Sequence, residues 1–350
     1  MAAVQTAVLG VTGYAGAELA RLLVRHPRLK GKAPIFAGRV EAEEGVPLRE
    51  LHPQLVDSHG TGSLRMQPFS WELFENLGVE TLFLATPHEF SREAVPAARK
   101  RGIRVIDLSG AWRLEEASNR AIYRFEDEGS ATALTMQSEA VYGMPELHRE
   151  KIRGAELIAN PGCYATSVIL ALKPLIAAGM IDVEHGVIAD SKSGVSGAGK
   201  APTAKTHFMS AADNLSTYAV FGHRHTGELL EQLGLENGEI TFTPHLLPIP
   251  RGILSTIYVR FRSKQSQAAV EACYAEFFKT SPMVRLYGSE LPQIQYSVRT
   301  NYCDIGVKVA ADGRRGIVVS CLDNLLKGAA GQAVQNLNVA MGWGEAEGLE

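Results

Sequence analysis

The stretch Gly10-Val11-Thr12-Gly13-Tyr14-Ala15-Gly16 follows a short apolar run, Val4 to Leu9. It leads into Gly16, Leu19, Ala20, Leu23 and Val24, whose spacing marks one face of a helix. Small residues at such a strand-to-helix turn let backbone approach a pyrophosphate. The helix N-terminus then offers unpaired N–H groups and a partial positive charge. The spacing is G-x-x-G-x-x-G, and Thr12 stands where the common dinucleotide fingerprint has its middle glycine. The stretch predicts the first turn of a Rossmann-type unit, with Gly10, Thr12, Gly13, Tyr14, Ala15 and Gly16 around the dinucleotide. The bland alternative is a tight turn without a ligand.

Outward from this turn, Pro27 stops the first helix, and Ile35 to Ala37 reads as a second strand. That strand ends Phe36-Ala37-Gly38-Arg39, where an NAD site usually carries a carboxylate. A guanidinium there suits a 2′-phosphate, so Arg39 predicts NADP; a merely solvated arginine is the alternative. Leu82 to Ala85 and Val105 to Leu108 read as further buried strands, separated by a helical stretch from Glu89 to Arg101. Strands spaced by helices imply a parallel sheet.

After about residue 150 the texture changes. Leu157 to Ala159 is a strand, and a long apolar helix starts at Cys163, with Pro174 predicted to kink or restart it. A glycine-rich loop (193–200) and a polar stretch to about 220 follow. β-type runs then cover Glu239 to Leu247, Ile253 to Phe261, Ile305 to Ala310 and Ile317 to Leu322. The fold class is therefore α/β: an N-terminal Rossmann-type domain plus an α+β catalytic domain with a mostly antiparallel sheet. Leu326, Ala330, Ala333, Leu337 and Met341 mark a closing helix, expected to return to the first domain. The domains read as 1–150 with 324–350, and 151–323. Gly344 to Glu350 is acidic and expected to fray.

The bulk numbers exclude several classes. A chain of 350 residues, 45% hydrophobic and 21% charged, has ordinary globular composition with material for two cores. A formal charge of −3 argues against nucleic acid or an anionic membrane as the main partner. The start of the chain has no basic region ahead of its apolar run, and no run reaches the length of a membrane span. Cys163, Cys273, Cys303 and Cys321 form no C-x-x-C pair and read as free thiols, so a cytoplasmic protein is expected.

Asn160-Pro161-Gly162-Cys163-Tyr164 joins a strand to a helix, which sets Cys163 at the helix start. The dipole there favours thiolate, the nucleophilic form that attacks acyl carbons. The other three cysteines lie in helix or strand patterns and read as core thiols. A proton handler is needed. His26, His52 and His59 stand singly and read as surface residues, whereas Phe221-Gly222-His223-Arg224-His225-Thr226-Gly227-Glu228 clusters two imidazoles with a carboxylate. Histidine titrates near neutrality, and Glu228 can fix a tautomer. A zinc reading of the His-x-His pair lacks further ligands at usual spacing, so no metal is expected. Gly194 to Lys200 spells G-x-x-x-x-G-K, but Ala201 follows where a P-loop has Ser or Thr, so this is an anion loop rather than a nucleotidase motif. Arg113, past the strand end Asp107-Leu108-Ser109, can clamp phosphate or carboxylate, or serve structure alone.

Together these blocks resemble the N-acetyl-gamma-glutamyl-phosphate reductase family, relatives of aspartate-semialdehyde dehydrogenase. The resemblance runs through nearly the whole chain. Besides the motifs above it rests on Val141-Tyr142-Gly143-Met144-Pro145-Glu146, Ser193 to Gly199, and Pro244-His245-Leu246-Leu247-Pro248. It implies NADPH-dependent reduction of an acyl phosphate, N-acetylglutamyl 5-phosphate, to the semialdehyde with release of inorganic phosphate, through a thioester on Cys163. Aspartyl phosphate or a carrier-linked aminoadipyl phosphate is the alternative substrate, and a non-enzymatic NADP sensor is the alternative role. By resemblance His223 is the acid–base, with His225 in reserve and Glu228 in support. Ser193, Gly194 and Asn324 are expected at the cofactor; Arg113, Asn160, Ser196, Gly197 and Lys200 at substrate or phosphate. A homodimer or homotetramer is implied. The chain departs from the family in having Gly227 where proline is frequent, and Lys200 where arginine is common.

Overall fold

Four buried residues, Thr6–Leu9, form β1, and the chain turns at Gly10 into the helix Tyr14–Arg25. In the computed structural model, which describes residues 4–40, 44–55 and 63–350, this strand is at the centre of the first sheet. Its companions are β2 (Ile35–Gly38), β3 (Val46–Pro47), β4 (Arg65–Pro68), β5 (Thr81–Leu84), β6 (Arg104–Asp107), β7 (Val141–Tyr142) and β8 (Leu157–Ala159). The order is β3-β4-β2-β1-β5-β6-β8-β7, and only the β3–β4 pair is antiparallel. The run β4-β2-β1-β5-β6-β8 is the Rossmann order, with its switch point between β1 and β5.

Two compact units divide the chain: 1–113 with 125–160 and 329–350, and 114–124 with 161–328. The boundaries expected from sequence, 150/151 and 323/324, leave 114–124 in the first domain. That segment joins the second unit through a distant partner. The Glu231 carboxylate accepts the N–H groups of Glu115 (2.8 Å) and Glu116 (3.0 Å) and the Asn119 amide (2.9 Å).

The closing helix, Gly331–Ala340, packs within the first unit against the helices Tyr14–Arg25 and Pro145–Ile152. The acidic tail beyond it is held rather than frayed. Glu345 accepts from Arg149 (2.9 Å) and Gln335 (2.8 Å), and Glu347 pairs with Arg28 (2.9 Å). His26 is likewise fully buried, correcting its surface reading. Its Nδ1 accepts the Arg28 N–H, which leaves Nε2 to donate to Asn338 Oδ1 at 2.9 Å. His52 is buried too, bonded to the Val11 carbonyl; His59 lies outside the described residues.

The second unit is built on a sheet of β9 (Val187–Gly194), β10 (Ser216–Thr217), β11 (Ile240–Leu247), β12 (Ile253–Arg260), β13 (Val284–Gly288), β14 (Cys303–Val309) and β15 (Arg315–Leu322). Its order is β10-β11-β9-β12-β15-β14-β13. Most pairs are antiparallel, as expected, but β9–β11 and β13–β14 run parallel. β9, β13 and the helix Gln267–Phe277 have no counterpart in the sequence reading. The apolar helix Cys163–Ala177 lies on this sheet. It passes through Pro174 without restarting. Pro174 sits in the last turn, and burial of Leu172 and Leu175, about 1.5–3 kcal/mol each, offsets the lost bond. No helix among the described residues is long and apolar enough to cross a membrane.

Candidate active site

In the second unit, Gly162 is in extended conformation, and Cys163 is the first helical residue. No side chain caps this end; Gly162 occupies the cap position. The thiol is partly exposed, whereas Cys303 and Cys321 are buried. Burial raises the Cys321 thiol above its ordinary range, and also that of Cys273. Gly328 is needed beside Cys163, because a Cβ there would stand 2.7 Å from the Cys163 Cβ. It lies in the π-helical turn Leu326–Ala330, a form frequent at functional sites.

The histidine cluster meets this helix start. Glu228, fully buried, accepts the Gly162 N–H at 2.9 Å. His225 lies against Gly162 so closely that a Cβ there would be 2.3 Å from its Nε2. The same Nε2 is 4.0 Å from the second Glu228 oxygen. The ring of His223 stands edge-on to that of His225 at 4.6 Å between centroids. His223 Nδ1 accepts the His225 N–H at 3.1 Å, so its neutral form carries the proton on Nε2. Burial, then the neighbouring His225, push the His223 pKa down to about 2. His223 is thus a neutral ring, and His225 is the imidazole at the turn before Cys163.

Three aromatic residues around the pair were not singled out from sequence. Tyr164, Tyr218 and Phe242 contact His223 edge-on at 5.6, 5.6 and 5.3 Å. Tyr164 donates to the His245 carbonyl at 2.6 Å, and burial raises its phenol well above the ordinary value. Burial pushes Tyr218 up to about 12. Tyr164 follows Cys163 directly, which was the available signal. Tyr218 sits in the polar stretch and carried none. The Gly227 departure has a packing reason, since a Cβ there would crowd Leu114 and Asn119 at 3.0 Å.

The glycine-rich loop is less open than expected. The N–H groups of Gly194, Val195 and Ser196 bond the carbonyls of Gly252, Ile249 and Pro250 at 2.9, 2.8 and 3.2 Å. Those three are therefore not available to an anion. The Asn324 amide accepts from Gly252 N–H (2.8 Å) and donates to Ser196 Oγ (2.9 Å), which ties it to the glycine-rich loop. Ser193 is buried with its hydroxyl on the Gly194 carbonyl. Gly197 and Lys200 are exposed, and Ser196 is half-buried.

In the first unit, the dinucleotide turn has the shape a pyrophosphate needs. A Cβ at Gly10 would lie 2.3 Å from the Ala85 carbonyl oxygen across the switch point, and one at Gly16 2.2 Å from the Gly10 oxygen. Gly13 caps the helix and no side chain fills that end. Thr12 and Tyr14 are exposed beside it, with Ala15 half-buried, and Arg39 is exposed past β2. Across the switch point, Thr86 Oγ1 is buried without a hydrogen-bond partner. The residues fit a dinucleotide phosphate at this turn. At the far edge, Arg113 is buried, donating to the Asn160 carbonyl (2.8 Å) and the Leu108 carbonyl (2.7 Å). Asn160 is fully buried; its amide donates to the Ala329 carbonyl and accepts from Asn336. These bonds fix Asn160 within the first unit.

Residues 5–155 match the model of the semialdehyde dehydrogenase NAD binding domain, and residues 163–324 that of the semialdehyde dehydrogenase dimerisation domain. N-acetyl-gamma-glutamyl-phosphate reductase from Methanococcus maripaludis is 40% identical over 98% of this chain and 96% of its own. That from Desulfotalea psychrophila is 43% identical over 99% of this chain and 98% of its own. The chain belongs to the N-acetyl-gamma-glutamyl-phosphate reductase family. This is a family of semialdehyde dehydrogenase-type oxidoreductases, and its first unit is a nicotinamide-dinucleotide domain. The fold agrees with the crystal structure of aspartate semialdehyde dehydrogenase II from Vibrio cholerae, at TM-score 0.70 and 19% identity over 96% of this chain and 97% of that one. The match to a dimerisation domain points to association of copies.

Proposed function

We propose that this chain is an NADPH-dependent reductase of N-acetyl-L-glutamyl 5-phosphate, giving N-acetyl-L-glutamate 5-semialdehyde and phosphate in arginine synthesis. The observation that carries the reading is Cys163, a partly exposed thiol at a helix start whose cap residue is held by Glu228 and touched by His225. The Cys163 sulfur attacks the acyl carbon; the C–S bond forms, the C–O bond to phosphate breaks, and a thioester results. His225 takes the thiol proton and returns one when the sulfur is released. This places the reserve histidine ahead of His223, whose lowered pKa and bonded Nδ1 make it a poor proton acceptor. Glu228 orients the turn and stabilises the imidazolium.

Gly10, Gly13 and Gly16 hold the dinucleotide phosphates, and Arg39 reads the 2′-phosphate. Bound there, the nicotinamide supplies the hydride that brings the thioester to the aldehyde level. In the second unit, half-buried Ser196 and exposed Gly197 and Lys200 are the groups proposed to take phosphate. The free thiols suit the cytoplasm.

A second copy of the chain is proposed on the outer face of the second sheet, as a homodimer or homotetramer. There Ile188, Tyr258 and Ile317 stand in register across β9, β12 and β15, 48%, 44% and 38% exposed. Tyr258→Asp is expected to shift sedimentation to the monomer.

Trapping the acyl adduct with substrate in the absence of NADPH and locating it by mass spectrometry tests the main reading. The adduct is expected on Cys163. Unchanged turnover in Cys163→Ser overturns it. Faster reverse rates with aspartate semialdehyde than with the N-acetylglutamate semialdehyde would reassign the substrate.

A further inference from the structure

The helix that begins at Cys163 is buried almost all round: Tyr164, Ala165, Val168, Ile169, Leu170, Ala171, Leu172 and Leu175 are each at most 2% exposed. Apolar contact is non-directional, and a helix without a polar face lacks the asymmetry that sets rotation about its own axis. A nucleophile on its first residue needs that rotation fixed.

Ser167, one turn beyond Cys163 on nearly the same face, meets a row of hydroxyls on the sheet. Ser255 of β12 pairs in register with Ser191 of β9 and Ser320 of β15, so the three share one face. Ser167 Oγ lies 2.9 Å from Ser255 Oγ and 3.0 Å from Ser320 Oγ. Ser191 Oγ bonds Ser255 Oγ at 2.7 Å, and Ser320 continues to the Cys303 thiol at 3.4 Å. The result is one chain, Ser191–Ser255–Ser167–Ser320–Cys303. Every member is fully buried, and none is left without a partner. Turning the helix away from this register strands buried hydroxyls, which costs more than the bonds it breaks return in water.

We propose that this hydroxyl row is a rotational lock on the nucleophile helix, with Ser167 as the positioning residue that sets the aim and reactivity of Cys163. It rests on the reading of Cys163 as the nucleophile. Bonds to Ser255 on one side and Ser320 on the other hold Ser167 between two strands, so the lock resists rotation in both directions. Ser191 and Cys303 complete the donor and acceptor chain, which strengthens its members mutually.

Iodoacetamide alkylation of Cys163, followed against pH by mass spectrometry on the full chain without substrate, tests the lock. Ser167→Ala is expected to slow alkylation and kcat about tenfold, leave KM and dinucleotide Kd nearly unchanged, and be restored by Ser167→Thr. A folded Ser167→Ala chain with the parent's alkylation profile overturns the proposal, whatever its melting temperature. If that variant does not fold, Ser320→Ala removes one of the two bonds. A smaller slowing supports the lock, and an unchanged rate overturns it. The readout is the thiol itself, so it is independent of the Cys163→Ser turnover experiment, whose failure would strike the nucleophile reading alone.

Discussion

The Glu228 carboxylate binds the backbone N–H of Gly162 at 2.9 Å, so a buried charge on the helix Thr226–Leu233 fixes the residue just before Cys163. A buried carboxylate is costly unless it is bonded, and here one oxygen holds the turn while the other faces His225. Glu228→Gln keeps an acceptor and the volume but loses the charge. It is expected to melt within a few degrees of the parent with kcat down about 10²-fold. Glu228→Ala strands the N–H and is expected to lower unfolding free energy by about 1–3 kcal/mol. Urea titrations and steady-state rates check both; parent-like values in the alanine variant refute the role.

Gly162→Ala probes the other contact at this turn. The added methyl enters the space of His225 Nε2, 2.3 Å away, and a ring is easier to displace than backbone. The chain is therefore expected to fold, with His225 pushed aside and turnover reduced about tenfold or more. Parent kinetics in this variant would show that His225 works from elsewhere.

The dinucleotide turn predicts a contrast among its glycines. Gly10→Ala and Gly16→Ala drive a Cβ into backbone oxygens at 2.3 and 2.2 Å and are expected to abolish NADPH binding or folding. Gly13→Ala meets nothing nearer than 3.6 Å and is expected to cost about 1 kcal/mol or less. Binding followed by NADPH fluorescence separates the three.

Arg39→Ala is expected to reduce preference for NADPH over NADH without changing NADH affinity. Dissociation constants for both cofactors settle it, and an unaltered ratio removes Arg39 from the 2′-phosphate site.

Acid should weaken the fold through two neutral histidines. Burial lowers His26 from its usual 6.5, opposed by Asn338 and Glu347 and aided by Arg28; burial and His225 lower His223 to about 2. In each case the unfolded chain binds the proton more readily. Their stabilising effect is complete above about pH 6.5 and declines as pH falls toward the folded values, by at most about 1.4 kcal/mol per pH unit for each ring. Unfolding free energies of His26→Gln measured from pH 7.5 to 4.5 should show a shallower slope than the parent.

Local pattern revealed the parts whose neighbours are close in sequence. The strand, glycine turn and amphipathic helix from Thr6 to Arg25 could be read directly, as could Cys163 after its Pro-Gly turn and the crowded His223 to Glu228 block. What stayed hidden depends on distant partners. His26 is buried because Asn338 and Trp343 come back to cover it, and the acidic tail is ordered because Arg28 and Arg149 await it. β9, Val-Ile-Ala-Asp-Ser-Lys-Ser-Gly, is too polar to read as a strand; its serines are satisfied by partners the pattern does not show, Ser191 by the hydroxyl row and Ser193 by the Gly194 carbonyl. The bonds of Asn160 and Asn324 go to backbone and side chains of their own units, partners that no local pattern announces.

The return of residues 329–350 to the first unit has a consequence for synthesis on the ribosome. A nascent chain that has reached residue 328 contains every part of the second unit, yet Asn338, the partner of His26, has not been made. The first unit is thus completed after the second, although its leading strand is made before it.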